Sequence, residues 1–205
     1  MPNQYVAIDV ETANGSRGSI CQIGLVAFTE AAISGEWSSL VNPQCDFDAF
    51  NVRIHGIGSA AVAGAPTLPL LFDELTRRID NVVMVSHSSF DYEALHQSFS
   101  RYALPVPKVE WLDSCEVARA CWPHFHKYDL ATLCRELSIP LQHHDALSDA
   151  RACGLLLASA IAQSGKGLDD WKKLASCAHY PIAANGPSPR RYSERIECLG
   201  NPQGL

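Results

Sequence analysis

The segment Tyr5-Val6-Ala7-Ile8-Asp9-Val10-Glu11 constrains this chain more than any other stretch. Its β-branched and apolar residues predict a buried central strand over residues 5–10. A carboxylate interrupts the apolar run at Asp9, and a second follows at Glu11. The two-residue period of a strand puts both acids on the same face. Two like charges beside a core are costly unless something positive sits between them, and a divalent cation meets that need. On these residues alone the other reading stays open: the strand has already ended and both acids are solvated.

The flanking pattern extends the prediction. Residues 20–28 and 37–41 read as a second and third strand. The turn cluster at residues 14–19 and the short connections suggest an antiparallel meander. The character changes after Pro43. Leu68, Leu71, Phe72, Leu75 and Ile79 recur at helical spacing. Residues 82–85 read as a short buried strand, followed by a helix over 90–102 and shorter helices over 117–121 and 130–137. A long amphipathic helix starts near Asp145 and is broken by Gly165-Lys166-Gly167, with one more helix over 169–175. A strand meander followed by alternating helices and strands implies an α/β fold, a mixed sheet with helices on its faces. From Pro181 onward the chain is Pro/Gly/Ser-rich and basic, which divides it into a domain over 1–178 and a linker or tail over 179–205.

Composition narrows the function classes. With 47% hydrophobic and 19% charged residues the chain is globular rather than disordered. No apolar run approaches the roughly 20 residues of a membrane span. Met1-Pro2-Asn3-Gln4 opens no signal peptide, so a cytoplasmic protein without membrane contact is expected. None of the 8 cysteines forms a Cys-x-x-Cys pair, which argues against a zinc ribbon and for reduced, partly buried thiols. The net charge of −6 is uneven: residues 1–150 carry 9 Lys/Arg against 18 Asp/Glu, and residues 151–205 carry 7 against 4. An acidic body is ill suited to gripping phosphate with a basic patch. It suits a protein that gathers carboxylates around metal ions, which then face a phosphate.

Three further residues carry chemistry. Asp91 follows the strand over 82–85 at a helix start, where a carboxylate caps the helix or lies near a strand end, the usual place of α/β sites. His144 and Asp149 are five apart and would not share a face of one helix. If the helix begins after an Asp145 N-cap, His144 hangs over its start and Asp149 lies in its first or second turn. His124, His126 and His143 read as surface histidines.

The joint order is Asp-x-Glu ending a first strand, Asp opening a helix after a later strand, then His-x-x-x-x-Asp at a late helix. Over roughly residues 4–162 it resembles the DEDDh group of 3′–5′ exonucleases, similar to the epsilon proofreading subunit of bacterial DNA polymerase III. The stretches Asn51-Val52-Arg53-Ile54-His55-Gly56-Ile57 and Tyr128-Asp129-Leu130-Ala131-Thr132-Leu133 add to the likeness. Two departures stand out. Ser86-His87-Ser88-Ser89-Phe90-Asp91 is one residue shorter between histidine and aspartate than the family loop, which puts a role for His87 in doubt. Thr12-Ala13-Asn14-Gly15 replaces the usual Thr-Thr-Gly.

The resemblance implies an RNase H-like fold with a mixed five-stranded sheet flanked by helices. It implies that Asp9, Glu11, Asp91 and Asp149 hold two Mg²⁺, with Mn²⁺ able to substitute, and that His144 is the general base. The backbone around Val10 and Thr12, His55 and Phe90 would meet the substrate. That substrate would be the 3′ end of single-stranded nucleic acid, DNA in preference to RNA, with a polymerase or repair partner. Sparse basic surface points to weak, distributive digestion. The alternatives are an RNA-trimming member of the family and an idle nucleic-acid-binding or docking module, against which the intact carboxylates and His144 argue. A glycosidase pair would leave His144 and two acids without a task. Residues 190–205 look like the linker that precedes a BRCT module in longer exonucleases, so a fragment of a longer protein is expected.

Overall fold

A computed structural model describes residues 4–29, 32–107 and 109–176. The apolar N-terminal segment forms β1 (Gln4–Thr12), buried from Tyr5 to its end. β2 (Ile20–Thr29) pairs with it antiparallel, and β3 (Ala32–Leu40) pairs antiparallel with β2. On its other side β1 pairs in parallel with β4 (Val83–Ser86), and β4 with β5 (Glu110–Asp113). The order β3-β2-β1-β4-β5 makes a mixed five-stranded sheet with β1 at its centre.

Helices cover both faces, and the period of β1 assigns its residues to them. Tyr5 and Ala7 join a core with α5 (Ser114–Cys121), α6 (Leu130–Glu136), α7 (Ala146–Ser164) and α8 (Leu168–Ala175), through Val117, Leu133, Leu156 and Trp171. Val6, Ile8 and Val10 join the opposite core with α3 (Leu68–Ile79) and α4 (Phe90–Arg101), through Leu75, Leu95 and Phe99. Asp9 and Glu11 continue the face of Tyr5 and Ala7, the side on which α7 packs. No helix among the described residues is long and apolar enough to cross a membrane.

Two glycines set how closely α7 approaches the sheet. Gly24, the β2 partner of Asp9, lies under the start of α7, where a methyl group would overlap the Ala146 carbonyl. Gly154 lies over Phe28, whose ring stacks on Tyr5 at 4.9 Å. The Tyr5 hydroxyl donates to the Gly154 carbonyl at 3.0 Å, so β1 grips α7 by a hydrogen bond as well as by packing.

The structure differs from the sequence reading in several places. β3 starts at Ala32, five residues before the expected strand, because this edge strand is largely exposed and carries no burial period. β5 has only four residues with acids at both ends, too short to show as a pattern. The helix expected over 90–102 ends at Arg101. α5 begins at Ser114 because Asp113 caps it, accepting from the Cys115 amide. Two short helices were not anticipated, α1 (Ala49–His55) and α2 (Ser59–Val62). α1 is capped by Asp48 and ended by Gly56 at φ 77, a left-handed conformation that glycine adopts without strain. The proposed tail, and the domain boundary at 178, lie outside the described residues.

Candidate active site

Three of the four predicted carboxylates converge. Asp9 and Glu11 come from the end of β1 and Asp149 from the first turn of α7. All three are buried, and one oxygen from each lies within 4.8 Å of the others. Like charges at such separations repel by roughly 3 kcal/mol per pair at an effective dielectric constant of about 20. A hard divalent cation reverses that sign, and three carboxylate oxygens without a thiolate are its ligand set. The donors present therefore fit a divalent metal.

Asp91 reaches the same strand end differently. It sits in the second position of α4 and is buried, but it does not cap the helix. Its Oδ1 accepts the amide hydrogen of Val10 at 3.0 Å, from the peptide that links Asp9 to Val10. This amide is free because β1 extends beyond the last residue that pairs with β4, which is Ala7.

The two histidines before α7 both lie close to Asp149, with a ring nitrogen of each and a carboxylate oxygen within 4.8 Å of one another. Asp145 caps the helix, accepting from the Ser148 amide at 2.9 Å. His144 adopts φ 69, and its amide donates to Asp149 Oδ2 at 3.0 Å. That left-handed turn folds His143 back, so its Nδ1 lies 3.1 Å from Asp149 Oδ2 and 3.2 Å from Oδ1. The two imidazoles stack at 3.9 Å. His143 is exposed, as a surface histidine should be, yet it touches a site carboxylate; the signal for it was the His-His pair directly before a capped helix.

The remaining candidates lie around the end of β1. Val10 is fully buried, so only its backbone faces the site. A register shift between Glu11 and Thr12 releases the Thr12 carbonyl from the β2 ladder. Asn51 Nδ2 donates to it at 2.9 Å and His55 Nε2 at 3.1 Å. His55 Nδ1 accepts the Ile57 amide at 3.0 Å, so both ring nitrogens hold backbone. Asn51 was missed as an individual residue, although it lies in a stretch that carried the family likeness. Phe90 is partly buried and packs against the α3–α4 core. The Arg17 guanidinium lies 4.6 Å from its ring centre, and Arg17 Nε is 2.9 Å from Glu93 Oε2.

His87 bonds partners outside the carboxylate trio. Its ring bonds Ser114 and the Tyr128 carbonyl, both at 2.8 Å, and burial lowers its pKa against the pull of Asp113 and other acids. Thiols in this region are equally unresponsive. Burial pushes Cys115 and Cys134 up to about 12 and raises Cys153 well above its ordinary value. The six described cysteines are all free thiols.

A family model described as Exonuclease matches residues 6–157. The chain belongs to the exonuclease family. It is 31% identical over 157 residues to the PolC-type DNA polymerase III of Oceanobacillus iheyensis, covering 75% of this chain and 11% of that protein. It is 30% identical over 158 residues to the 3′–5′ exonuclease DinG of Bacillus subtilis, covering 75% of this chain and 17% of that protein. The chain thus spans less than a fifth of the length of these curated relatives. Exonuclease X, solved in complex with 5′-overhanging duplex DNA, superimposes with a TM-score of 0.65 at 25% identity, over 83% of this chain and 98% of its own. The nuclease domain of 3′hExo, a DEDDh family member bound to rAMP, shares the fold at a TM-score of 0.70 and 15% identity, over 80% of this chain and 94% of its own. The fold is RNase H-like and of DEDDh exonuclease type, as the sequence resemblance implied. The family is one of exonucleases, which generally use divalent metal ions, and the buried acidic trio is a cluster that could hold one. No BRCT part enters these matches.

Proposed function

We propose that this exonuclease removes nucleoside 5′-monophosphates from the 3′ end of single-stranded DNA, in replication or repair. The observation that carries the proposal is the buried trio Asp9, Glu11 and Asp149, with Asp91 held on the amide between the first two. Four carboxylates balance two divalent cations in charge. Mg²⁺, with Mn²⁺ as substitute, suits an all-oxygen ligand set that leaves positions for water and phosphate. Such a pair, when bound, supplies positive charge that clamps the scissile phosphate and makes a water acidic.

The chain's own groups do the rest. Asp9, Glu11, Asp91 and Asp149 would hold the cations, and His144 would take the proton of the attacking water. The water oxygen bonds to phosphorus as the bond to the 3′-oxygen breaks. The mononucleotide leaves with the phosphate, and the shortened strand keeps a 3′-hydroxyl. Thr12, steadied by Asn51 and His55, and Phe90, steadied by Arg17, are assigned to the terminal nucleotide. Relatives named as a DNA polymerase and as an exonuclease complexed with DNA support DNA over RNA.

The test uses single-stranded DNA and RNA of one sequence, labelled at the 5′ end, with Mg²⁺, with Mn²⁺ and with chelator. His144→Ala and Asp149→Asn run alongside. The expected result is a metal-dependent ladder that shrinks from the 3′ end of DNA and vanishes in both variants. A ladder on RNA alone would reassign the substrate. Binding without cleavage of either polymer would reject the enzyme reading.

A further inference from the structure

His87 takes no part in the proposed chemistry, yet in the neutral ring its hydrogen bonds have only one consistent set of directions. Its Nε2 lies 2.8 Å from the Tyr128 carbonyl oxygen. A carbonyl only accepts, so Nε2 carries the hydrogen. In the neutral ring Nδ1 then offers a lone pair, and the Ser114 hydroxyl 2.8 Å away donates to it. The Ser114 oxygen in turn accepts from the Cys153 thiol at 3.3 Å. The relay therefore runs Cys153 to Ser114 to His87 to Tyr128. Burial keeps the ring neutral despite Asp113, Asp129 and Asp149 nearby.

The relay joins the two parts of the structure that deliver carboxylates from outside β1. His87 follows β4 and stands four residues before Asp91. Ser114 opens α5, next to Asp113, whose Oδ1 accepts from the Ser88 amide at 3.1 Å and so holds the same loop. Cys153 lies four residues after Asp149 on α7, one turn along the helix. We propose that His87 is a positioning residue for the carboxylate centre, joining the Asp91 loop to the Asp149 helix through Ser114 and Cys153. The inference rests on reading that centre as a cation site. Groups that orient metal ligands typically change metal affinity or activity by about 10- to 100-fold when removed.

The experiment has two readouts that need no cleavage. The first is the ¹⁵N NMR spectrum of the histidine rings at pH 7 in the full chain. The expected form of His87 is the neutral Nε2–H tautomer; an Nδ1–H tautomer or an imidazolium would overturn the relay. The second is binding of Mn²⁺ alone, followed by electron paramagnetic resonance. His87→Phe should bind Mn²⁺ about 10-fold or more weaker with an unchanged circular dichroism spectrum. His87→Gln, which keeps a donor and an acceptor, should recover most of that loss. If His87→Phe does not fold, Ser114→Ala, which removes one hydroxyl, carries the test and must also weaken Mn²⁺ binding. Cys153→Ser should bind like the wild type. A wild type that binds Mn²⁺ beside folded variants that bind it equally well would overturn this inference alone. A wild type that binds no Mn²⁺ would overturn the reading of the centre as a cation site, and this inference with it.

Discussion

Asp91 Oδ1 accepts the amide hydrogen of Val10 at 3.0 Å, 81 residues away in the chain. The bond fixes a helix-borne carboxylate onto the peptide that links Asp9 to Val10. The opposing element, α7, owes its approach to the missing side chain of Gly24, which pairs with Asp9 across the sheet. The Asp91 bond to Val10 sets one side of the centre, and close packing with the Tyr5–Gly154 hydrogen bond sets the other.

Gly24→Ala tests the packing half. Its methyl group would overlap the backbone of Ala146 and Leu147, so the start of α7 must move and carry Asp149 with it. Overpacking of this kind costs about 1–3 kcal/mol. A displacement on the order of 1 Å at a reacting centre costs about 100-fold in rate. The variant should melt lower and lose activity by that order, measured by thermal denaturation and by the gel assay. Gly35→Ala, with no heavy atom within 4 Å, should match the wild type in both.

Charge within the trio has a measurable sign. Asp9, Glu11 and Asp149 repel one another when no cation is bound, so Asp9→Asn should raise the melting temperature in chelator. The same change should remove the stabilisation by Mn²⁺, which for the wild type amounts to about 2.7 kcal/mol at 100 times the dissociation constant. Differential scanning calorimetry with and without Mn²⁺ gives both numbers. A melting temperature in chelator that falls on substitution would contradict the repulsion.

His87 makes stability depend on pH. Its folded pKa is lowered by burial, against an ordinary value near 6.5. Above that value both states are neutral at this ring, and no penalty applies. Below it the unfolded chain takes up a proton that the native state resists, so stability is lost as pH falls from about 6.5 toward the depressed folded pKa. Urea denaturation of the wild type and of His87→Gln across pH 5 to 8 isolates this term. The stability gap between them should narrow toward acid, and a constant gap would remove His87 as its source.

Most cations of the described residues are already matched. Arg17, Arg78, Arg119, Arg135, Arg151, Lys172 and Lys173 all stand in ion pairs. Arg53, Arg77, Arg101, Lys127 and Lys166 stand outside these ion pairs and are scattered along the chain, so the KM for single-stranded DNA should depend weakly on salt. A slope of log KM against log salt of about 1 or less corresponds to one or two phosphate contacts. Slopes several times steeper, or many cuts per encounter in a trap assay, would show a basic track that the described residues lack.

By itself the sequence determined the central strand, the shared face of Asp9 and Glu11, the Asp145 cap and the position of Asp149 in the first or second turn of α7. Each of these is written in a local period or a capping residue, and a few consecutive side chains suffice to specify it. Only the tertiary structure decided that Asp91 bonds Val10 instead of capping α4, that His143 folds back on Asp149, and that both nitrogens of His55 are held by backbone. It also decided that β5 exists and that His87 turns toward Ser114. These features depend on which elements lie side by side after folding. Contacts such as Val10 with Asp91, or Gly24 with Ala146, span some 80 to 120 residues and leave no periodic trace in the chain. They arise when burial of two apolar faces brings distant backbone groups together, and those groups then need partners.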